Sequence, residues 1–164
     1  MPPRYIKNAT LQHLYDEAKV DGKENSASGL CNMVLCDMFQ SSAGYVVFPQ
    51  YTQDNTRPDF RVGKYTPGGQ QITVKIVEAK SALSSQSYTT AVNQMKSAVR
   101  ESITENPSQT GMWGAVWKGT KIDVYYYRRS TNEFLRMSPQ PLDIKDNDAA
   151  VHQIEQQIKT RNLV

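Results

Sequence analysis

Soft metal ligands are scarce in this chain: 164 residues contain two cysteines and two histidines. Cys31 and Cys36 stand five positions apart in one apolar segment, a spacing that does not align both on one helical face and makes no C-x-x-C pair. That excludes the usual zinc constellations and a disulfide framework, and leaves buried free thiols in a reducing compartment as the expectation. His13 and His152 fall at opposite ends of the chain in helical segments, where surface positions are expected. Neither a phosphate loop nor a Ser-His-Asp set is visible. No apolar run approaches the ~20 residues of a membrane span, and MPPRYIKNAT lacks the apolar stretch of a secretion signal. An intracellular protein, in cytoplasm or nucleus and without a membrane partner, is therefore expected. Excess charge of one sign is also slight: a formal +3 and a pI near 8.8 permit contact with a polyanion without requiring it.

What is present is ordinary in amount and informative in order. Hydrophobic residues at 38% and charged residues at 21% argue for a folded globule rather than disorder. The length suits one domain over residues 1–164, since no repeat and no long linker divides it. Leu11, Leu14, Tyr15 and Ala18 recur at helical spacing, which predicts a short helix over 10–19. Leu30, Cys31, Val34, Leu35 and Met38 form a broader stripe and predict a second helix over about 26–40, beginning near Glu24. GYVVFPQY (44–51) and PDFRVGKY (58–65) read as strands, and TPGGQ supplies a turn into QITVKIVEAK (71–80), the clearest strand of all. Val92, Met95, Val99 and Ile103 predict a helix over 88–105 that Asn106 and Pro107 end. GMWGAVWKGTKIDVYYYRR reads as a hairpin, RMSPQPLDIKDND as an irregular connection, and Val151, Ile154 and Ile158 as part of a closing helix. The expected order is α α β β β α β β α, a mixed α/β domain with a central sheet flanked by helices.

One stretch carries chemistry. In RPDFRVGKYTPGGQQITVKIVEAKS, side chains alternate along the last strand, so Glu78 and Lys80 emerge on one face about 7 Å apart while Ala79 points away. Counted by parity they continue Ile72, Val74 and Ile76 and mark the end of a buried stripe. A hairpin through Gly68 and Gly69 brings Asp59 beside them, and the repulsion of two carboxylates is best relieved by a divalent cation. Oxygen ligands without His or Cys favour Mg²⁺ or Mn²⁺ over zinc. Pro58 fixes its own φ and biases Arg57 toward extended geometry, which aims Asp59.

Pro58, Asp59, Glu78, Ala79 and Lys80, on strands in this order, resemble the PD-(D/E)XK nuclease superfamily. Its restriction endonuclease-like core of helix, three strands, helix and strand is similar to what residues 26–127 show. An extra N-terminal helix and a C-terminal helix would flank that core. The resemblance, which extends to members of the Holliday junction resolvase type, implies metal-dependent hydrolysis of phosphodiester bonds. Asp59, Glu78 and the carbonyl of Ala79 would hold Mg²⁺ or Mn²⁺, and Lys80 would position the attacking water. Many members add an acid from the first core helix, a place Glu24 fits, with Glu17 in reserve; Glu24 equally suits a helix N-terminus by charge alone. Many also carry a Gln in the helix after the Glu-x-Lys strand, and Gln94 either orients Lys80 or is an ordinary surface amide.

Nucleic acid is the implied partner, DNA ahead of RNA, with a homodimer as one option for cutting two strands. Lys96, Arg100, Lys118, Lys121, Arg128 and Arg129 could contact its backbone or form a solvated face. Trp113, Trp117 and Tyr125 to Tyr127 have strand spacing and are expected in the core and sheet rather than as base-stacking platforms. The 78 − 59 = 19 positions between Asp59 and Glu78 suggest a protruding turn that helps choose substrate. No sequence-reading element is visible, which favours structure-selective or nonspecific cutting. The competing class is the same fold without catalysis, binding nucleic acid or a protein.

Overall fold

The strand over 71–80 is buried along nearly its whole length, so both of its faces must be covered. In the computed structural model, which describes residues 3–20, 24–49, 58–161 and 163–164, helices supply that cover from both sides. The chain runs α1 (Ala9–Val20), α2 (Glu24–Met38), a 3₁₀ turn (Ser41–Ala43), then β1 (Tyr45–Pro49), β2 (Phe60–Tyr65) and β3 (Gln71–Lys80). It continues with α3 (Tyr88–Thr104), β4 (Gly111–Lys118), β5 (Lys121–Arg128), β6 (Glu133–Arg136), β7 (Leu142–Asp143) and α4 (Asp148–Thr160). One sheet has the order β1-β2-β3-β4-β5-β6, with β7 also paired to β5. β3 and β4 are parallel and every other pair is antiparallel. A parallel pair needs a crossover, and α3 provides it. The expected fold, a central mixed sheet flanked by helices, is the one observed.

Apolar side chains divide into two clusters about this sheet. Leu11, Leu30, Leu35, Trp113, Trp117, Ile122 and Val151 join α1, α2 and α4 to one face. Met95, Val99, Met112, Val116, Tyr125 and Tyr127 join α3 to the other. Trp113 and Trp117 are fully enclosed and Tyr125, Tyr126 and Tyr127 are nearly so, as strand spacing predicts. Gly114 lets α3 lie close, because a Cβ there would fall 2.1 Å from Met95 Sδ. Ser87 caps α3 by accepting from Thr90 N–H at 3.0 Å.

Several expectations need correcting. The β2–β3 ladder pairs Val62 with Lys75 but Gly63 with Thr73, so Val74 is a bulge and side-chain parity flips there. Ile72 and Val74 therefore pack with Val77 and Ala79, while Ile76 faces α3 with Glu78 and Lys80. The flip also leaves Lys75 facing the larger cluster, 1% exposed, with Nζ 5.7 Å over Phe39 and its pKa lowered to about 8 by burial. The turn after β2 does not protrude: Tyr65 already pairs with Gln71, and Thr66 N–H donates to Gln70 O at 2.8 Å. Strand length accounts for the spacing between Asp59 and Glu78, and the turn lies at the far end of β3 from Glu78. The connection read as irregular contains β7, with β6 just before it; both are short and the sequence shows no alternation there. Cys31 is buried as expected, but Cys36 is exposed. His152 is part-buried and hydrogen bonds with Arg4 at 3.0 Å, so it is no simple surface residue. The expectations for Gln50, Tyr51 and Arg57 lie outside the described residues.

Candidate active site

The site forms where β2 begins and β3 ends. Phe60↔Val77 is the last ladder pair between these strands, so the residues that follow on β3 turn their polar backbone edge toward Asp59. Ala79 N–H donates to Asp59 Oδ2 at 2.7 Å. N–H and C=O of one strand residue point to the same side, so the Ala79 carbonyl also faces Asp59. On the opposite edge the carbonyl of Lys80 accepts from Gly119 N–H at 2.9 Å, which places β4 there.

Lys80 is the hub. Its Nζ lies 3.6 Å from Glu78 Oε2, 3.8 Å from Asp59 Oδ2 and 3.9 Å from Glu24 Oε1. Its side chain is 15% exposed, against 27% for Asp59, 7% for Glu78 and 56% for Glu24. The cluster thus runs from a buried carboxylate outward to a solvent-facing one. Glu78 has its pKa raised to about 7, first because burial disfavours its charge and then because Asp59 repels it; Lys80 offsets part of this. Formally three carboxylates face one ammonium, an excess of negative charge at a partly dry position.

The structure brings together most of the residues expected from the sequence. Asp59, Glu78 and Lys80 converge, and Glu24 reaches them because α2 begins at Glu24, with Ala27 and Cys31 on its buried side. Glu17 does not: its Oε1 lies 3.2 Å from His13 Nε2 on α1. Gln94 is exposed on α3 and is not among the groups around Lys80. Among the described residues no group of three His, Cys, Asp or Glu side chains is drawn together tightly enough to hold an ion by itself. The donor chemistry nevertheless suits a hard cation: carboxylate oxygens of Asp59, Glu78 and Glu24 plus a strand carbonyl, with no nitrogen or sulfur.

Two cavities flank the cluster. One of about 340 Å³ is lined by Ser28, Gly29, Asn32, Pro49, Asp59 and Phe60. The other, of about 690 Å³, opens on the β4 side past Val116 and Lys118, the register neighbours of Glu78 and Lys80. The basic residues singled out in the sequence do not form one patch. Lys96 and Arg100 lie over Phe134, and Arg129 caps the carbonyls of Asn106 and Pro107. Sequence reading missed the buried Asp123, which holds Tyr88, Tyr125 and Arg136 beneath the second cavity; an acid alternating with apolar residues in β5 was its signal.

No protein-family model matches the chain, and no curated protein matches it. Its fold is restriction endonuclease-like. A chain of the DrdV–DNA complex is similar over 92% of this chain and 93% of its own length, at 13% identity and a TM-score of 0.52. The type IIG restriction endonuclease BpuSI is similar over 96% of this chain but only 16% of its own length, at 17% identity and a TM-score of 0.52. No helix among the described residues is long and apolar enough to cross a membrane.

Proposed function

We propose that this protein is a metal-dependent nuclease that hydrolyses phosphodiester bonds, of DNA in preference to RNA, and that it is structure-selective or nonspecific. The convergence of Asp59, Glu78 and Glu24 on Lys80 at the end of β3 carries this reading. One structural neighbour is a DNA complex and the other a type IIG restriction endonuclease by name, which supports DNA as the class of substrate. Asp59, Glu78, the Ala79 carbonyl and Glu24 would hold Mg²⁺ or Mn²⁺. A bound divalent ion supplies Lewis acidity and a water of lowered pKa.

The chain's own groups do the rest. The Ala79 N–H fixes Asp59 in one orientation. Burial keeps the Glu78 carboxyl poised near neutrality, so that it is ionised and able to ligate above about pH 7. Lys80, mostly shielded from solvent, offers an ammonium that orients the attacking water and balances the negative charge developing on the phosphorane. Glu24, on the solvent side, would add a further carboxylate oxygen to a bound ion from the first core helix. The likeness to junction resolvases and a homodimeric arrangement are part of this proposal.

A calorimetric titration of Mn²⁺ into the protein and into Glu78→Ala tests it without a guessed substrate. Binding by the intact protein and its loss in the variant is the expected result, followed by cleavage that Asp59→Ala abolishes while circular dichroism stays unchanged. Equal binding by both proteins would overturn the site. The loose spacing of the carboxylates around a lysine favours one second reading: a noncatalytic module of the same fold. It would bind nucleic acid with an affinity indifferent to Asp59→Ala.

A further inference from the structure

Lys80, Lys118 and Lys121 stand side by side on three neighbouring strands. Lys80 pairs in register with Lys118 across the parallel β3–β4 ladder, and Lys118 pairs with Lys121 across the β4–β5 hairpin. Directly opposed strand residues project from the same face, so the three lysines form a row by register, of which Lys118 and Lys121 line the 690 Å³ cavity while the Lys80 ammonium stays with its carboxylates. Adjacent strands are ~4.8 Å apart, so the row spans ~10 Å from Lys80 to Lys121. Like charges directly opposed destabilise a sheet. Lys80 has its three carboxylates, but among the described residues no carboxylate pairs with Lys118 or Lys121. The hairpin is tight, with Gly119 at φ 60° and only Thr120 beside it, so the two lysines cannot move apart along their strands.

The remaining lining sets the sign of the ligand. Lys19 adds a third cation from the end of α1. Asp143 lies across the β5–β7 ladder from Lys121, but its carboxylate is committed to Thr120 Oγ1 at 2.6 Å, Tyr15 Oη at 3.0 Å and the Lys145 N–H at 2.9 Å. Asp146 is the other acid of the cavity wall. The ammonium groups of Lys19, Lys118 and Lys121 thus outnumber the carboxylates of Asp143 and Asp146 in the lining, which favours an anionic ligand.

We infer that Lys118 and Lys121 bind backbone phosphates next to the scissile one, so that a nucleic-acid strand runs from Lys80 along the β4–β5 hairpin into this cavity. This rests on the nuclease reading for the position of the scissile phosphate. The test is fluorescence anisotropy of short labelled oligonucleotides, single-stranded and duplex, as a function of salt. The Glu78→Gln background prevents cleavage. Adding Lys118→Ala and Lys121→Ala removes two phosphate contacts. The slope of log affinity against log salt should become shallower by about 1.4 on single strands or about 1.8 on duplex. Between ~50 and ~200 mM salt, the parent then loses about tenfold more affinity than the variant. Arg128→Ala, a charge lost at the far end of β5, should leave the slope unchanged. An unchanged slope in the double variant, or an equal shift in Arg128→Ala, overturns the inference even if the intact protein cuts. The expected shift in a protein that neither binds Mn²⁺ nor cuts would keep the phosphate row and discard the nuclease reading.

Discussion

Replacing Glu78 with glutamine should make the metal-free domain more stable at pH 8. Glu78 is 6% exposed, lies beside Asp59, and has its pKa raised from 4.5 to about 7. At ~1.4 kcal/mol per pKa unit, holding it ionised in the fold costs about 3 kcal/mol. Glutamine keeps the shape and removes the charge, though its buried amide must still find hydrogen-bond partners, so that figure is a ceiling. For a domain of this size each ~1 kcal/mol moves Tm by about 2–4 °C, which puts the ceiling near 6–12 °C.

The sign follows from linkage. A carboxyl whose pKa is higher in the fold contributes stability fully below its unfolded value, and that contribution is lost as pH rises through the folded value. The gain from Glu78→Gln should thus be near zero at pH 4.5, grow between pH 4.5 and about 7, and level off above. Thermal melts in EDTA across that range read it directly. Added Mn²⁺ should reverse the order by stabilising the parent alone. A variant that melts at or below the parent at pH 8, or a difference that does not shrink toward pH 4.5, would refute the reasoning.

Lys80→Ala should retain Mn²⁺ binding, because it removes a cation and no oxygen ligand, while lowering the cleavage rate by about 10²-fold or more; full activity would remove the assigned role. Glu24→Ala should weaken Mn²⁺ affinity and change stability by less than about 1 kcal/mol, since the side chain is 56% exposed, whereas Glu17→Ala should leave the titration unchanged. Lys75→Met should stabilise the fold at pH 7 by up to about 3 kcal/mol, since burial has lowered the lysine's pKa from 10.5 to about 8. A base depressed in this way penalises the fold most below pH 8, so the gain measured by chemical denaturation should fade as pH rises from 8 through 10.5.

The sequence by itself determined the element order and the identity of the charged cluster. Helical periodicity placed α1 to α4, β-branched and aromatic runs placed β1 to β5, and Pro-Asp with Glu-x-Lys marked two strand ends. These are local signals, written in residues three, four or two positions apart. Tertiary structure decided which face each strand presents. One bulge at Val74 reverses the parity of β3, which puts Ile72 and Val74 on the face of Lys75 and Val77 where alternation would separate them from Val77, and no spacing rule announces a single unpaired residue. It also decided between Glu24 and Glu17, because only the start of α2 comes within reach of Lys80 while Glu17 turns to His13. Gln94, placed by analogy, lies exposed on α3 instead. The lysine row arose in the same way. Lys118 and Lys121 are neighbours across a local hairpin, but Lys80 joins them only when β3 and β4 pair in parallel across α3. Local composition dictates local structure, but the coincidence of charges from distant strands is a property of sheet register.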